Sequence, residues 1–197
     1  GNWNEHLERV LDSIGLTAES GKPATVTRGS ATALPWPDAS FDAVITDPPY
    51  YDNIQYAALS DFFYVWLKRT VGSLYPEHFT TEVSPKKNEA VASAWRHKSK
   101  SESRQAYEQM MAQSFREAHR VLKPGGQMTV VYAHKTTLGW STLVDALRKA
   151  GFTVTEAWPL DTEMKSRLVA METAALASSI FLVARKRGSV GELESES

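Results

Sequence analysis

Residues 41–50 are Phe-Asp-Ala-Val-Ile-Thr-Asp-Pro-Pro-Tyr, an apolar and partly β-branched run that ends at two consecutive prolines. Such a run is typical of a strand in a parallel sheet whose two faces are covered by helices. Proline cannot donate a hydrogen bond to a neighbouring strand, so the strand should end before Pro48. The sequence therefore predicts a buried parallel strand with an Asp-Pro-Pro-Tyr motif at its carboxyl end.

Helix and strand patterns alternate along the rest of the chain, which indicates an α/β fold with a mostly parallel sheet wrapped on both faces. Asn2 and Glu5 have the form of a helix capping box. The predicted helices lie at residues 3–14, about 53–69, 107–122 and 140–147. Further strands are predicted at 24–28, 127–133, 152–157 and 178–184. Pro124 and Gly125 stand where a type II turn favours proline and glycine.

The predicted helix at 53–69 is apolar nearly all round, so we expect it to be largely enclosed by protein. Its aromatic residues are expected to belong to the core; they are Tyr56, Phe62, Phe63, Tyr64 and Trp66. Tyr56 is the exception, because it lies one helical turn from Asp52 and so close to the motif. In parallel sheets ligands bind at the carboxyl ends of strands, where Asp47 and His134 are both expected.

Composition excludes several kinds of site. The 197 residues contain no cysteine, which removes disulfides, thiol catalysis and cysteine-bound zinc, and the five histidines show no metal-ligand spacing. The formal net charge is −1, so nucleic-acid binding would have to rest on a local basic patch. The most apolar segment, 54–67, contains Ser60 and Asp61 and is shorter than a membrane span of about 20 residues. We expect a soluble, cytoplasmic protein that does not enter a membrane.

A local basic patch occurs in the polar insertion, which runs from about residue 72 to 104. Between residues 85 and 104 six basic residues, including Lys86 and Lys87, stand against Glu89 and Glu102. Two interpretations remain open. The segment is a mobile arm that binds phosphates, or it is a solvated flexible loop.

The Asp-Pro-Pro-Tyr motif fits the chemistry of methylating an exocyclic amine. The nitrogen lone pair is delocalised into the ring, and hydrogen-bond acceptors aimed at the N–H groups favour the reactive pyramidal geometry and stabilise the developing positive charge. Asp47 supplies a carboxylate and Pro48 a main-chain carbonyl, and the two prolines restrict the backbone that carries them. Tyr50 offers a flat face on which an extruded base can stack.

Several separated motifs resemble class I methyltransferases that depend on S-adenosylmethionine (SAM). The resemblance lies in residues 29–31, in 34–35 and 41–50, and in 120–126, which would enter the fifth strand of that fold. More narrowly, residues 47–54, 59–67 and 174–180 resemble the C-terminal region of the adenine-specific DNA methylases that carry a zinc ribbon. The resemblance implies a Rossmann-like fold with a C-terminal antiparallel strand, SAM as cofactor, and transfer of a methyl group to adenine in DNA.

The resemblance also implies roles for individual residues. Asp47, Pro48, Pro49 and Tyr50 would form the catalytic motif, and Ser30, Ala31 and Asp47 would lie against SAM. The base and the nucleic acid would be bound by Tyr51, Asp52, Asn53, Tyr56, Lys86, Lys87 and His134, although a lone histidine is more often structural. Methylation of RNA or of cytosine N4 by the same motif remains an alternative.

The sequence departs from this family pattern at the cofactor side. It contains no zinc-ribbon cysteines, no glycine-rich loop after a first strand and no acidic residue that closes a second strand. Residues 1–185 are thus expected to form a partial methyltransferase domain that lacks the first two strands, with a disordered acidic tail at 186–197. The 41–46 strand would then have an unpaired edge. We expect a homo-oligomer, or a separate chain that supplies the SAM-binding half; the other alternative is a truncated, non-catalytic protein.

Overall fold

The computed structural model describes residues 2–21, 23–51, 54–93, 96–134, 137–160 and 179–187. Within these ranges five helical segments and four strands follow one another. They are α1 (Trp3–Ser20), β1 (Phe41–Thr46), α2 (Tyr56–Val71), a 3-10 helix (Pro76–His78), α3 (Lys100–Val121), β2 (Leu122–Tyr132), α4 (Thr137–Lys149), β3 (Phe152–Leu160) and β4 (Ser179–Lys186).

The four strands form one sheet in the order β1-β2-β4-β3. β1 pairs with β2 in parallel, and β4 is antiparallel to both of its neighbours. Three strands therefore run in one direction and the last strand runs against them. The predicted α/β class, with a truncated Rossmann-like sheet and a C-terminal antiparallel strand, is confirmed.

The core lies between the sheet and the helices α3 and α4. These helices contact each other as well as β2 and β3, so they cover the same face of the sheet. The central strand β2 directs Met128, Val130 and Tyr132 towards them, and all three side chains are fully buried. Gly139 in α4 allows a close approach, because a Cβ atom there would lie 2.2 Å from Nδ1 of His134.

Three predictions about β1 and its surroundings are wrong. Residues 24–28 form no strand, and Val26 is 94% exposed, because nothing among the described residues pairs with this segment. β1 is parallel as predicted but not buried: it lies at the edge of the sheet that the described strands form, and Ile45 is 77% exposed. The sheet was expected to have helices on both faces. The described helices that pack on it, α3 and α4, lie on one and the same face.

Helix α2 is also more exposed than its sequence predicts. No described residue of α2 is buried, and Leu59 and Phe62 are each 66% exposed, so the expectation of an enclosed helix is wrong. Polar bonds join the helix to the following segment, among them those of Asp61 and Tyr64 to residues 81–86. Its large apolar side chains are left exposed by the residues that the structure describes; they are Leu59, Phe62, Phe63 and Trp66.

Asn2 is the N-cap of α1, and its side chain accepts from the Glu5 amide at 3.0 Å, which is one of the two bonds of the predicted capping box. Gly125 has a φ of 76°, the value expected after Pro124 in a type II turn, although the turn interrupts β2 instead of preceding it. The predicted tail begins within β4, which extends to Lys186; residues 188–197 lie outside the described residues.

Candidate functional site

The carboxyl ends of β1 and β2 place the predicted site at one edge of the sheet. The two strands are in register, with Thr46 paired to Val130, and Asp47 and His134 follow closely after them. Asp47 is exposed, whereas Pro48 behind it is buried. The motif therefore presents its carboxylate to solvent from a main chain that is anchored in the protein.

Two cavities meet at the motif. The first, the motif cavity, has a volume of about 400 Å³ and is lined by Ser30, Ala31, Asp47, Pro49 and other residues of β1 and α3. The second, the Tyr56 pocket, has a volume of about 360 Å³ and is lined by Asp47, Pro49, Tyr56 and Glu89. Asp47 and Pro49 line both cavities, so the motif separates one space from the other.

Tyr107 of α3 holds the main chain of the motif. Its hydroxyl donates to the carbonyl oxygen of Pro49 at 2.8 Å and accepts from the amide of Tyr51 at 3.3 Å. Tyr51 has a φ of 28°, in the left-handed region that non-glycine residues rarely adopt. Burial raises the pKa of Tyr107, so the phenol stays protonated at neutral pH and can donate.

The Tyr56 pocket is closed on one side by Glu89, whose side chain is only 10% exposed. One oxygen accepts from the Ala57 amide at the start of α2, at 3.0 Å, and the other pairs with the guanidinium of Arg96. Burial, followed by the negative charges of Asp47 and Glu89, raises the pKa of Tyr56. The Tyr56 hydroxyl is therefore protonated near neutral pH and available as a donor beside two carboxylates.

The wall of the motif cavity depends on Arg120 at the end of α3. Its guanidinium donates to the carbonyl oxygens of Leu34 and Trp36 and to the carboxylates of Asp38 and Glu117, at 2.8 to 3.1 Å. The amide of Leu34 in turn donates to Glu117 at 2.9 Å. These bonds fix the 34–38 loop, which connects the Ser30 and Ala31 wall to β1.

Comparison with known proteins identifies the family. A family model described as DNA methylase matches residues 41–161, which is more than half of the chain. The chain belongs to this DNA methylase family. No curated protein matches it significantly.

Solved structures similar to this methylase chain include TTHA0409 from Thermus thermophilus, provisionally assigned as a DNA modification methylase. That structure is 19% identical, covers 82% of this chain and 52% of its own, and gives a TM-score of 0.46. Its complex with S-adenosyl-L-methionine is 18% identical over 79% and 51% of the two chains, with a TM-score of 0.43. A SAM-dependent methyltransferase from Methanosarcina mazei is 13% identical over 89% and 73%, with a TM-score of 0.45. The methylase chain thus spans about half the length of TTHA0409.

The structure brings Ser30, Ala31, Asp47 and Pro49 together around the motif cavity, and it places Tyr56 on the other side of Asp47. Tyr50 is instead half-buried and meets Tyr132 edge-on, with ring centroids 5.5 Å apart. Neither set of described lining residues includes it. Stacking of a base on Tyr50 stays a prediction.

Tyr51 and His134 pack behind the motif. The Tyr51 ring meets Tyr107 and His134 edge-on, at centroid distances of 5.1 and 5.9 Å. His134 is buried, stacks on Tyr132 and lines neither cavity as described. Its position fits the structural alternative, so binding of substrate by His134 has no support in this geometry. Asp52 and Asn53 lie outside the described residues.

Neither interpretation of the basic insertion matches its residues 84–93. Ser84, Val91 and Ser93 are buried, and the Ala92 amide donates to the Tyr51 carbonyl at 2.9 Å, so the segment packs on the motif. The Lys86 ammonium pairs with Asp61 at 2.8 Å and also donates to the Ser84 carbonyl. Lys87 is exposed and lines a separate opening beside Ser30. Of the two lysines predicted to bind phosphate, Lys86 is therefore held in an ion pair. Lys87 is exposed to solvent and forms no ion pair with another described residue.

Three residues that the sequence did not single out for the site are Tyr107, Glu89 and Arg120. The helical spacing of Tyr107 predicts that its ring packs in the core, but the partner of its hydroxyl is a carbonyl 58 residues away in the sequence.

Among the described residues no group of three or more histidine, aspartate or glutamate side chains could hold a metal ion. No described helix is both long enough and apolar enough to cross a membrane.

Proposed function

We propose that this chain takes part in transferring a methyl group from SAM to the exocyclic amine of a DNA base. One observation supports this best: Asp47 and Pro49 form the shared wall of two cavities. A methyl donor in the motif cavity and an amine in the Tyr56 pocket would meet at the Asp47 carboxylate. This arrangement matches what a transfer between two bound molecules requires.

The motif cavity fits part of the cofactor. Its volume of about 400 Å³ lies in the range of small-molecule sites, and its lining is mostly apolar. The polar residues that line it are Ser30, Thr32, Thr46, Asp47, Asn88 and Ser114. Ser30 and Ala31 would lie against the adenine, and Asp47 near the positively charged sulfur. When bound, SAM supplies the methyl group as an electrophile. The sequence has no glycine-rich loop for the methionine end, so we assign only the adenosine and methyl end to this cavity.

Asp47 acts on the amine. Its carboxylate accepts a hydrogen bond from one N–H group, and the Pro48 carbonyl is the acceptor for the other. Both interactions become stronger as positive charge develops on the nitrogen, which lowers the barrier. Asp47 does not need to remove a proton beforehand. Once the nitrogen has gained the methyl group it carries a surplus proton, which would then pass to the Asp47 carboxylate or to solvent.

Tyr56 would bind the ring nitrogen beside the amine. In adenine and in cytosine this nitrogen is an acceptor, and the protonated Tyr56 hydroxyl is a donor in the same pocket as Asp47. The donor and acceptor pair therefore selects a base with an amine next to an unprotonated ring nitrogen. We choose adenine over cytosine because the motif resembles that of the adenine-specific, zinc-ribbon methylases.

Analysis of the methylated product tests this choice. The chain is incubated with unmethylated DNA of mixed sequence and SAM carrying a labelled methyl group, and the DNA is then hydrolysed to nucleosides. We expect the label in N6-methyladenine. Label in N4-methylcytosine contradicts the adenine choice, and label in RNA but not in DNA under matched conditions contradicts the substrate class.

The open edge of β1 favours a partner. Ile45 on β1 and the apolar face of α2 are both exposed, and an edge strand with free main-chain groups is usually covered. We propose that a second copy of the chain, or a separate chain that completes the SAM site, covers this edge in the cytoplasm. Analytical ultracentrifugation with SAM titration tests the partner: a monomer that binds SAM contradicts it. A monomer that binds neither SAM nor DNA contradicts the second copy, and it fits a missing separate chain as well as the non-catalytic alternative.

A further inference from the structure

The hydroxyl of Tyr107 bonds to the main chain on both sides of Tyr50. It donates its proton to the Pro49 carbonyl at 2.8 Å and accepts from the Tyr51 amide at 3.3 Å. A phenol offers one donor and two acceptor positions, so its single donor is used on the motif. Tyr107 itself is 1% exposed, which means that α3 and the core fix its position.

The segment that Tyr107 holds is under backbone strain. Tyr51 has a φ of 28°, and nothing in its own side chain favours that conformation. Two further contacts surround it: the Ala92 amide donates to its carbonyl at 2.9 Å, and its ring meets Tyr107 edge-on at 5.1 Å. Strained conformations persist only where the surrounding structure holds them, and they cluster at functional sites.

We propose that Tyr107 is a positioning residue for methyl transfer. By joining the Pro49 carbonyl to the Tyr51 amide, its hydroxyl fixes the turn that follows Pro48 and so directs the Pro48 carbonyl and the Asp47 carboxylate towards the amine. The inference rests on the proposed function, but the geometry of the turn can be measured without it. Displacement of catalytic groups by about 1 Å can lower a rate about 100-fold.

The test compares Tyr107→Phe with Phe152→Leu in the full chain. Phenylalanine keeps the ring packing and removes only the hydroxyl. Phe152 is equally buried, but it lies on β3 and packs on His119, away from the motif, so its replacement controls for general destabilisation. Two quantities are measured: the hydrogen exchange rate of the Tyr51 amide by NMR, and kcat and KM for labelled methyl transfer to mixed-sequence DNA.

In Tyr107→Phe we expect the Tyr51 amide to exchange about tenfold faster, because it loses its acceptor. We also expect kcat to fall at least tenfold with KM for SAM unchanged. Phe152→Leu should lower the melting temperature without either effect. Unchanged Tyr51 exchange and unchanged kcat in Tyr107→Phe would overturn the inference, as would equal losses of kcat in both variants.

Two further outcomes are decided by the same data. If the wild-type chain transfers no methyl group, the proposed function fails, while Tyr51 exchange still decides whether Tyr107 holds the motif. If Tyr107→Phe does not fold, the wild-type protein decides: its Tyr51 amide should be as well protected as the amides of β2. Exchange at the rate of an unprotected loop would contradict the inference.

Discussion

Replacement of Arg120 by methionine removes the guanidinium that joins α3 to the 34–38 loop and keeps much of the side-chain packing. Arg120 donates to two main-chain carbonyls and two carboxylates, and its side chain is 31% exposed. The pair with Asp38 is largely exposed and should contribute less than about 1 kcal/mol. The two carbonyl bonds and the pair with Glu117 are partly buried, and we assign about 1 kcal/mol to each after discounting for solvent. The expected loss of unfolding free energy is therefore about 3 kcal/mol.

The pH dependence of this loss has a defined sign. Arg120 first, and then the Leu34 amide, hold the pKa of Glu117 below its ordinary value. A carboxyl whose folded-state pKa is lowered stabilises the protein above its unfolded-state pKa, and this stabilisation is lost as pH falls through the folded-state value. Because Arg120→Met removes the main cause, the difference between wild type and variant should be largest at pH 7 and should narrow below about pH 4.

Urea unfolding followed by circular dichroism at pH 7 and pH 3 measures both effects. Arg120→Lys, which keeps the charge but not the planar fork of donors, should recover only part of the loss. A cost of less than about 1 kcal/mol for Arg120→Met at pH 7, the value of an exposed pair, would contradict the assigned bonds. A difference that widens in acid would contradict the role of Glu117.

Further predictions concern single residues. Gly139→Ala should destabilise the protein by about 1–3 kcal/mol, because the new Cβ would overlap the His134 ring. Gly15→Ala on the exposed helix α1 should instead stabilise it by about 0.5–1 kcal/mol. Equal effects of the two substitutions in thermal unfolding would contradict the close packing of α4 on His134. The logarithm of the DNA association constant falls linearly with the logarithm of the salt concentration. Lys87→Ala should make this slope less steep by about 0.9 in titrations from low to moderate salt. Lys86→Ala should leave that slope unchanged and instead cost up to about 1 kcal/mol of stability, because Lys86 is paired with Asp61. An effect of Lys86 on the slope as large as that of Lys87 would show that the pair opens on binding.

Local patterns were sufficient to predict the frame of the site. The apolar run before Asp47 and the Pro-Gly turn before residues 127–133 each depend on residues adjacent in sequence, and the structure places both strands in parallel with their carboxyl ends together. The strand predicted at 24–28 failed because a strand needs a neighbour, which its own sequence cannot specify. The apolar pattern of α2 shows that the helix favours burial, but it does not show whether the covering surface lies among the described residues.

The bonding partners within the site could not be predicted in the same way. The basic insertion was assessed by its net charge. The fold pairs Lys86 with Asp61 and Arg96 with Glu89, so these two cations are already neutralised within the protein and less available to phosphates. Helical spacing identified Tyr107 as a residue of the core, but the two main-chain partners of its hydroxyl depend on how α3 crosses the motif. Pairings between distant segments of the chain are decided by tertiary structure.

The most direct test of the central claim, that Asp47 receives the amine between two cavities, is the rate of methyl transfer by Asp47→Asn. Asp42→Asn is the matched control, because Asp42 is an exposed aspartate on β1, the strand that leads to Asp47. Since Asp47 is exposed, the substitution should change stability by less than about 0.5 kcal/mol. We expect a kcat about 100- to 1000-fold lower in Asp47→Asn and wild-type kcat in Asp42→Asn. Wild-type kcat in Asp47→Asn would contradict the claim.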